Sequence, residues 1–241
     1  MKCILSLHVT TIFILTTFSL FGQQSSVTET NFNALSSISN AGAPNTIGTA
    51  SGSSSMFSSS PTNVEGSYYV FENWENNAVI ELNNGKKYVL EQNFNINADK
   101  GSFESKISEK SVYIFELDDI KRVSINYSPY VVKYFKIENK FVLFQELGSY
   151  NGKTLLKDFK AELIQRGSDP YRGKLNDQIV INSNYYISQD DEIIKIKLKK
   201  SSIINQFDNE SNAVKTFMKD EKLSFKEDND LRKLFRFLNN S

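Results

Sequence analysis

Residues 155–165 read Leu155-Leu156-Lys157-Asp158-Phe159-Lys160-Ala161-Glu162-Leu163-Ile164-Gln165, and this stretch decides the fold. Leu155, Lys157, Phe159, Ala161 and Leu163 form one alternating set; Asp158, Lys160 and Glu162 fall between them. A strand sends successive side chains to opposite faces, so this period of two predicts a strand with one face packed and the other in water. Residues 193–199 repeat the pattern, with Ile194, Ile196 and Leu198 alternating with Lys195, Lys197 and Lys199. Shorter runs at 78–82, 87–90, 102–107, 112–115, 123–127, 131–137, 141–147 and 185–187 behave likewise.

Turn signals separate these runs. Asn84-Gly85 and Asn151-Gly152 tolerate the positive φ of tight hairpins. Polar breaks stand at Asp99-Lys100-Gly101, Glu138-Asn139-Lys140 and Gln189-Asp190-Asp191. Short strands at this spacing, with no long helix between them, predict an antiparallel meander, closing partly into a barrel or sandwich. After Lys200 the period lengthens. Ile203, Ile204 and Phe207 suit one short helix, and Ala213, Val214, Phe217 and Met218 a second. Leu231, Leu234, Phe235 and Leu238 then follow a Ser224-Phe225-Lys226-Glu227 capping-box spacing. The fold class is therefore mainly β (α+β), with a β domain over 67–200 and helices over 201–241 that pack on it.

The N-terminal quarter is different material. Ile4 to Phe21 is mostly apolar behind Met1-Lys2, and reads as a signal peptide over 1–22, cut between Gly22 and Gln23. Of the 44 residues 23–66, 30 are Ser, Thr, Asn, Gly or Ala. So little apolar surface cannot offset chain entropy, so we read a disordered linker. As a flexible coil it would reach roughly 35–40 Å. Removing 1–22 leaves no transmembrane span and predicts an exported protein, periplasmic or extracellular in a Gram-negative cell.

Trimming also settles the chemistry. The whole chain of 241 residues has 28 basic and 28 acidic groups, one Cys and one His, and both Cys3 and His8 lie in the first 22 residues. What remains has 27 basic and 28 acidic groups and neither thiol nor imidazole. Disulfides, thiol nucleophiles, imidazole bases and nearly all zinc sites are excluded, and the balanced charge argues against nucleic acid as partner. No cofactor is implied. Gly148-Ser149-Tyr150-Asn151-Gly152-Lys153-Thr154 has three residues between its glycines where a phosphate loop needs four, and reads as a hairpin. Acidic stretches from Asp208 and Asp228 miss the glycine and bidentate acid of a calcium loop. Catalysis would fall to paired carboxylates, a Ser/Lys arrangement or a bound cofactor, and the candidate acids Asp118-Asp119 and Asp190-Asp191 sit in turns.

One loop stands out. Residues 166–177 read Arg-Gly-Ser-Asp-Pro-Tyr-Arg-Gly-Lys-Leu-Asn-Asp, and Tyr171, Arg172 and Lys174 form a candidate binding patch outside the strands. Tyr68-Tyr69-Val70-Phe71 with Trp74 is a second aromatic candidate, which core packing explains equally well.

Several features stand in a familiar order: the Ser/Asn-rich leader, Tyr68-Tyr69-Val70-Phe71-Glu72-Asn73-Trp74, the hairpin at Asn83-Asn84-Gly85-Lys86, Asp169-Pro170-Tyr171, Tyr185-Tyr186-Ile187, the Ile194 to Lys200 alternation, and the closing helix from Lys222 to Leu238. Over 68–241 the chain resembles uncharacterised secreted β-rich proteins of Bacteroidetes, especially flavobacteria. The resemblance implies export and brings no activity, ligand or site residues. We therefore expect a non-enzymatic envelope protein, a binding or structural module whose partner is an envelope protein or glycan. The alternatives are a carboxylate-dependent glycoside hydrolase and a carrier of an apolar ligand.

Overall fold

The computed structural model describes residues 30–31, 46–47, 50–57, 63–169, 173–190, 192–207 and 210–240. The first nine strands are β1 (Thr30–Asn31), β2 (Thr46–Ile47), β3 (Ala50–Met56), β4 (Val64–Glu65), β5 (Ala78–Leu82), β6 (Lys87–Leu90), β7 (Phe94–Asn97), β8 (Ser102–Ser108) and β9 (Ser111–Phe115). After a 3₁₀ turn at Leu117–Asp119 come β10 (Ile120–Ile125), β11 (Ser128–Phe135), β12 (Lys140–Tyr150), β13 (Lys153–Ile164), β14 (Ser168–Asp169), β15 (Gly173–Lys174), β16 (Asp177–Gln189) and β17 (Glu192–Ile196). Three helices close the chain: α1 (Lys200–Ile204), α2 (Ser211–Asp220) and α3 (Asp228–Asn240).

The protein is mostly β, and neither main sheet closes. The larger sheet runs β1-β6-β5-β10-β11-β12-β13-β16-β17, with β4 added on β16; the smaller runs β2-β3-β9-β8-β7. Every pairing of the β5–β17 meander is antiparallel; only β1 on β6 and β4 on β16 are parallel.

Register shows how one face of the large sheet is organised. Tyr88, Ile80, Val123, Tyr130, Gln145, Lys157, Tyr185 and Ile196 are successive cross-strand partners, so they form one row on one face. Two layers share the work of covering that face. Over β5, β6 and β10 lies the smaller sheet, and Ile80, Val123, Phe94, Phe103 and Phe115 fill the space between. Over β12, β13 and β16 lie the helices, whose Ile203, Phe207, Val214, Met218, Leu231, Leu234, Phe235 and Leu238 pack on Leu147, Leu155 and Ile187. Between the two layers Lys157 donates to Asp228 at 2.6 Å and Tyr185 Oη donates to the same carboxylate at 3.0 Å. The start of α3 is thereby fixed to the sheet.

A bulge makes the helix contact possible. Pairing of β12 with β13 shifts between Glu146 and Gly148, which brings both Leu147 and Gly148 under α3.

The structure corrects the sequence reading in several places. Residues 123–127 are not one strand: Asn126 (φ 46°) and Tyr127 (φ 65°) form the β10–β11 turn. The linker composition extends into the fold, because β3 pairs with β9 from Gly52 to Met56 and Phe57 joins an aromatic cluster. Ser-rich sequence serves here because Gly52 lies against Tyr113 and the Ile114 carbonyl, with no room for a side chain. The 166–177 loop contains a small strand pair, β14 with β15. The residue that reaches back from α3 is Asp230, which accepts the Ser224 N–H at 2.9 Å, in place of Glu227.

Candidate binding groove

Both faces of 155–158 are covered, so the expectation that one face meets water fails for this part of the strand, while Glu162 further along is exposed as expected. Leu155 and Leu156 are fully buried on opposite faces, and Asp158 beside Leu156 is only 6 % exposed. Curvature is the cause. Phe135 on β11 and Tyr186 on β16 are separated by β12 and β13 and lie six residues out of register, so a flat sheet would hold them about 14 Å apart across the strands and about 20 Å apart along them. Their ring centroids are 5.5 Å apart, and Phe144 lies 6.0 and 5.4 Å from them. The second half of the sheet therefore curls, and its concave face holds a small core of Phe135, Val142, Phe144, Leu156 and Tyr186.

The curl brings two unfinished strand edges to one place. β10 pairs with β11 only as far as Arg122 and Val131, so the β10 side of Val132–Phe135 carries no strand among the described residues. Among the described residues β17 is the last strand of the sheet and is likewise free on its outer side. Two connected depressions span the gap between them. One of about 460 Å³ is lined by Val132, Lys133, Tyr134, Lys136, Ser188 and Ile193. The other, about 200 Å³, is lined by Tyr134, Phe135, Lys136, Ile137 and Glu192 to Ile194. Tyr134, Ile137 and Ile194 are large apolar side chains left exposed on this rim. Lys133, Lys136 and Lys195 form no ion pair among the described residues, whereas Glu138 is held by Lys140 at 2.8 Å and Lys160 at 3.6 Å. Those ammonium groups pull the Glu138 carboxyl below its ordinary range.

Asp158 is the buried acid of this face. Burial raises its carboxyl above the ordinary aspartate range, against the pull of Lys160 at 3.6 Å and the Phe159 N–H. Tyr186 beside it is pushed up to about 12, by burial first and by the charges of Asp158 and Glu138 next. A raised carboxyl keeps its proton longer in the folded state. Its contribution to stability is present below the unfolded value of about 3.9 and is lost as pH rises through the folded value. Asp158→Asn is expected to hold stability at neutral pH level with wild type or up to about 1 kcal/mol above it. It should also flatten the decline between pH 4 and 7. Urea unfolding across that range checks both, and a variant that declines as steeply as wild type overturns the assignment.

The aromatic segment after the linker is structural. Tyr69, Trp74 and Phe57 pack at centroid distances of 4.7 to 5.9 Å on the outer side of the smaller sheet, Phe57 stacked on Tyr69 and Trp74 edge-on to both. Tyr69 Oη donates to buried Glu104 at 2.7 Å, and Lys106 already occupies the Phe57 ring face at 4.8 Å. The Asn95 and Asn76 side chains bond the backbone of Phe71, Asn73 and Phe94, which ties this segment down.

Of the sequence candidates, Tyr171, Arg172, Gly22 and Gln23 lie outside the described residues, as does the Lys174 side chain. Asp118 and Asp119 sit in the 3₁₀ turn and Asp190 is exposed at the β16–β17 turn. The groove went unread in the sequence because it depends on where β10 stops pairing and how far the sheet bends. The one signal was Asn126-Tyr127: read as a turn, it sets the register in which β11 runs past the start of β10. Among the described residues, no cluster of His, Cys, Asp and Glu could hold a metal ion, and no helix is long and apolar enough to cross a membrane.

No family model matches the chain, and no curated protein or solved structure is similar to it.

Proposed function

We propose that the protein is an exported, non-enzymatic binding module of the cell envelope, and that its ligand, an envelope protein or glycan, occupies the groove between β11 and β17. The observation that supports this is the pair of free strand edges facing each other across an apolar, lysine-rimmed depression. A photo-crosslinking residue placed at Tyr134 or at Ile194, in cells that export the protein, is expected to give discrete adducts. The same residue at Tyr127, which is 92 % exposed at the other end of β11, is the control. Equal labelling at all three positions would overturn the groove as the binding site.

A hydrolase reading has one specific foothold. Glu138 and Asp158 both approach Lys160 Nζ at 3.6 Å, so their nearest oxygens are at most about 7 Å apart. That separation suits an acid and base pair, and their carboxyls are displaced in opposite directions. Lys160 stands between them, however, and the space beside Asp158 is about 10 Å³, room for one water and no sugar ring. For an apolar carrier, the space beside α1 is about 460 Å³, but Gln189, Asp190, Glu192 and Gln206 share its lining with the isoleucines. The groove remains the better site.

A further inference from the structure

We propose that the groove takes an extended peptide of alternating acidic and apolar residues, which adds itself as a strand between β11 and β17. This rests on the groove being the binding site.

The backbone argument comes from register. Ile125 and Ser128 close a two-residue turn, so they form a hydrogen-bonded pair, and bonded and non-bonded pairs alternate from there. Val123 and Tyr130 are bonded, Arg122 and Val131 are not. Continued along β11, the alternation turns the N–H and C=O of Val131, Lys133 and Phe135 toward β12, and those of Val132 and Tyr134 toward the groove. On the other side, Gln189 and Glu192 close the β16–β17 turn. Residues 192, 194 and 196 then bond to β16, and Ile193 and Lys195 turn their backbone groups outward. Two edges thus present a ladder of donors and acceptors to the same space, which is what an added strand completes.

Side chains determine which strand fits. Lys133 pairs across with Val142, and Lys195 with Tyr186, so both lysines project on the concave face. Val132 and Tyr134 on β11, and Ile194 and Ile196 on β17, project on the other. An inserted strand would therefore meet the two ammonium groups beside Ile193 on the concave face, and apolar groups alone from these four residues on the other. The same lysines argue against a second copy of this chain. Antiparallel pairing of β17 with itself in the registers centred on Lys195 or Ile196 would set Lys195 opposite Lys195 or Lys197 of the other copy, the like-charge arrangement by which free edges resist self-association.

The test uses the full chain and acetyl-Glu-Val-Glu-Val-Glu-Val-amide, with two twins: one N-methylated at alternate residues and one carrying Lys in place of Glu. The acidic peptide is expected to bind, to weaken about tenfold or more from about 0.1 M to about 1 M salt, and to slow amide exchange at Val132, Tyr134 and Ile193. The N-methylated twin should bind about tenfold more weakly. Lys195→Gln removes the charge alone; Lys195→Pro also removes an outward N–H, which an edge strand tolerates, and should weaken binding further. Equal binding of the N-methylated or lysine twin would overturn strand addition by an acidic peptide. So would a dimer in sedimentation that Lys195→Pro dissolves, or binding of dodecanoate in place of the peptide. These outcomes leave the groove reading standing if Tyr134 and Ile194 still give adducts; loss of those adducts removes the groove itself.

Discussion

Gly148→Ala is expected to lower stability by about 3 kcal/mol, the upper part of the range for inserting a methyl group into a packed core. An added Cβ would lie 2.4 Å from Phe235 Cγ, 2.5 Å from its Cβ and 2.7 Å from Cδ2. These atoms sit at the root of the side chain, so no rotation of Phe235 about its outer bonds relieves the overlap. The ring is also confined, lying 5.5 Å from Phe207 and only 3 % exposed. Either the bulge straightens or α3 lifts from β12. Lifting α3 would strain the anchor at its start, where Asp228 is bonded to Lys157 and Tyr185. Urea unfolding, followed by tyrosine and tryptophan fluorescence, measures the loss. Gly167→Ala is the control, since nothing lies within 4 Å of a Cβ there, and it should stay within about 0.5 kcal/mol of wild type. Phe235→Ala removes Cγ and Cδ2, two of the three overlapping atoms, so the Gly148→Ala/Phe235→Ala double variant should lose less than the sum of the two single losses. A loss under about 1 kcal/mol, with purely additive effects in the double variant, would mean that α3 is not seated on this bulge.

Period two at 155–165 was legible because it is local. It located β13, and the odd positions Leu155, Lys157 and Phe159 do face the covering layers. Helix spacing was mostly legible: Ile203, Ile204, Val214, Met218, Leu231, Leu234, Phe235 and Leu238 are buried on α1–α3 and Phe207 just after α1, whereas Phe217 is half-buried and Ala213 is exposed. What stayed hidden depends on relations between distant residues. Leu156 and Asp158 are buried because Phe135 and Tyr186, fifty-one positions apart, meet over the curl. Ile194 belongs to the expected packing face yet is 59 % exposed, because β17 ends the sheet and overhangs the groove. The β3 strand was hidden for the opposite reason. Its serines carry no apolar pattern, and backbone pairing to β9, with Gly52 tucked against Tyr113, holds it. The groove combines both effects: the Asn126-Tyr127 turn sets the β10–β11 register, pairing lapses before Arg122 where β10 leaves the Leu117–Asp119 turn, and curvature carries β17 round to face the edge left open.

Phe144→Ala is expected to have the largest effect of any single substitution on the concave face, about 3–5 kcal/mol, with Phe144→Leu costing about 1–2 kcal/mol. Phe144 has no exposed surface and packs against Phe135, Tyr186 and Leu156. Its place on β12, between β11 and β13, makes it the residue around which the curl closes. Removing the ring leaves Phe135 and Tyr186 without the partner that holds them 5.5 Å apart across four strands. The sheet can relax by flattening, which separates β11 from β17 and widens the groove. Two measurements therefore move together: stability falls in urea unfolding, and amide exchange quickens at Val132–Phe135 and Glu192–Ile196 before it quickens in β5–β9. If the curl were instead held by the helices on the opposite face, Phe144→Ala would cost about 1 kcal/mol or less and exchange at those two edges would not change. The size of that loss decides whether the groove is built by its own aromatic floor or imposed from across the sheet.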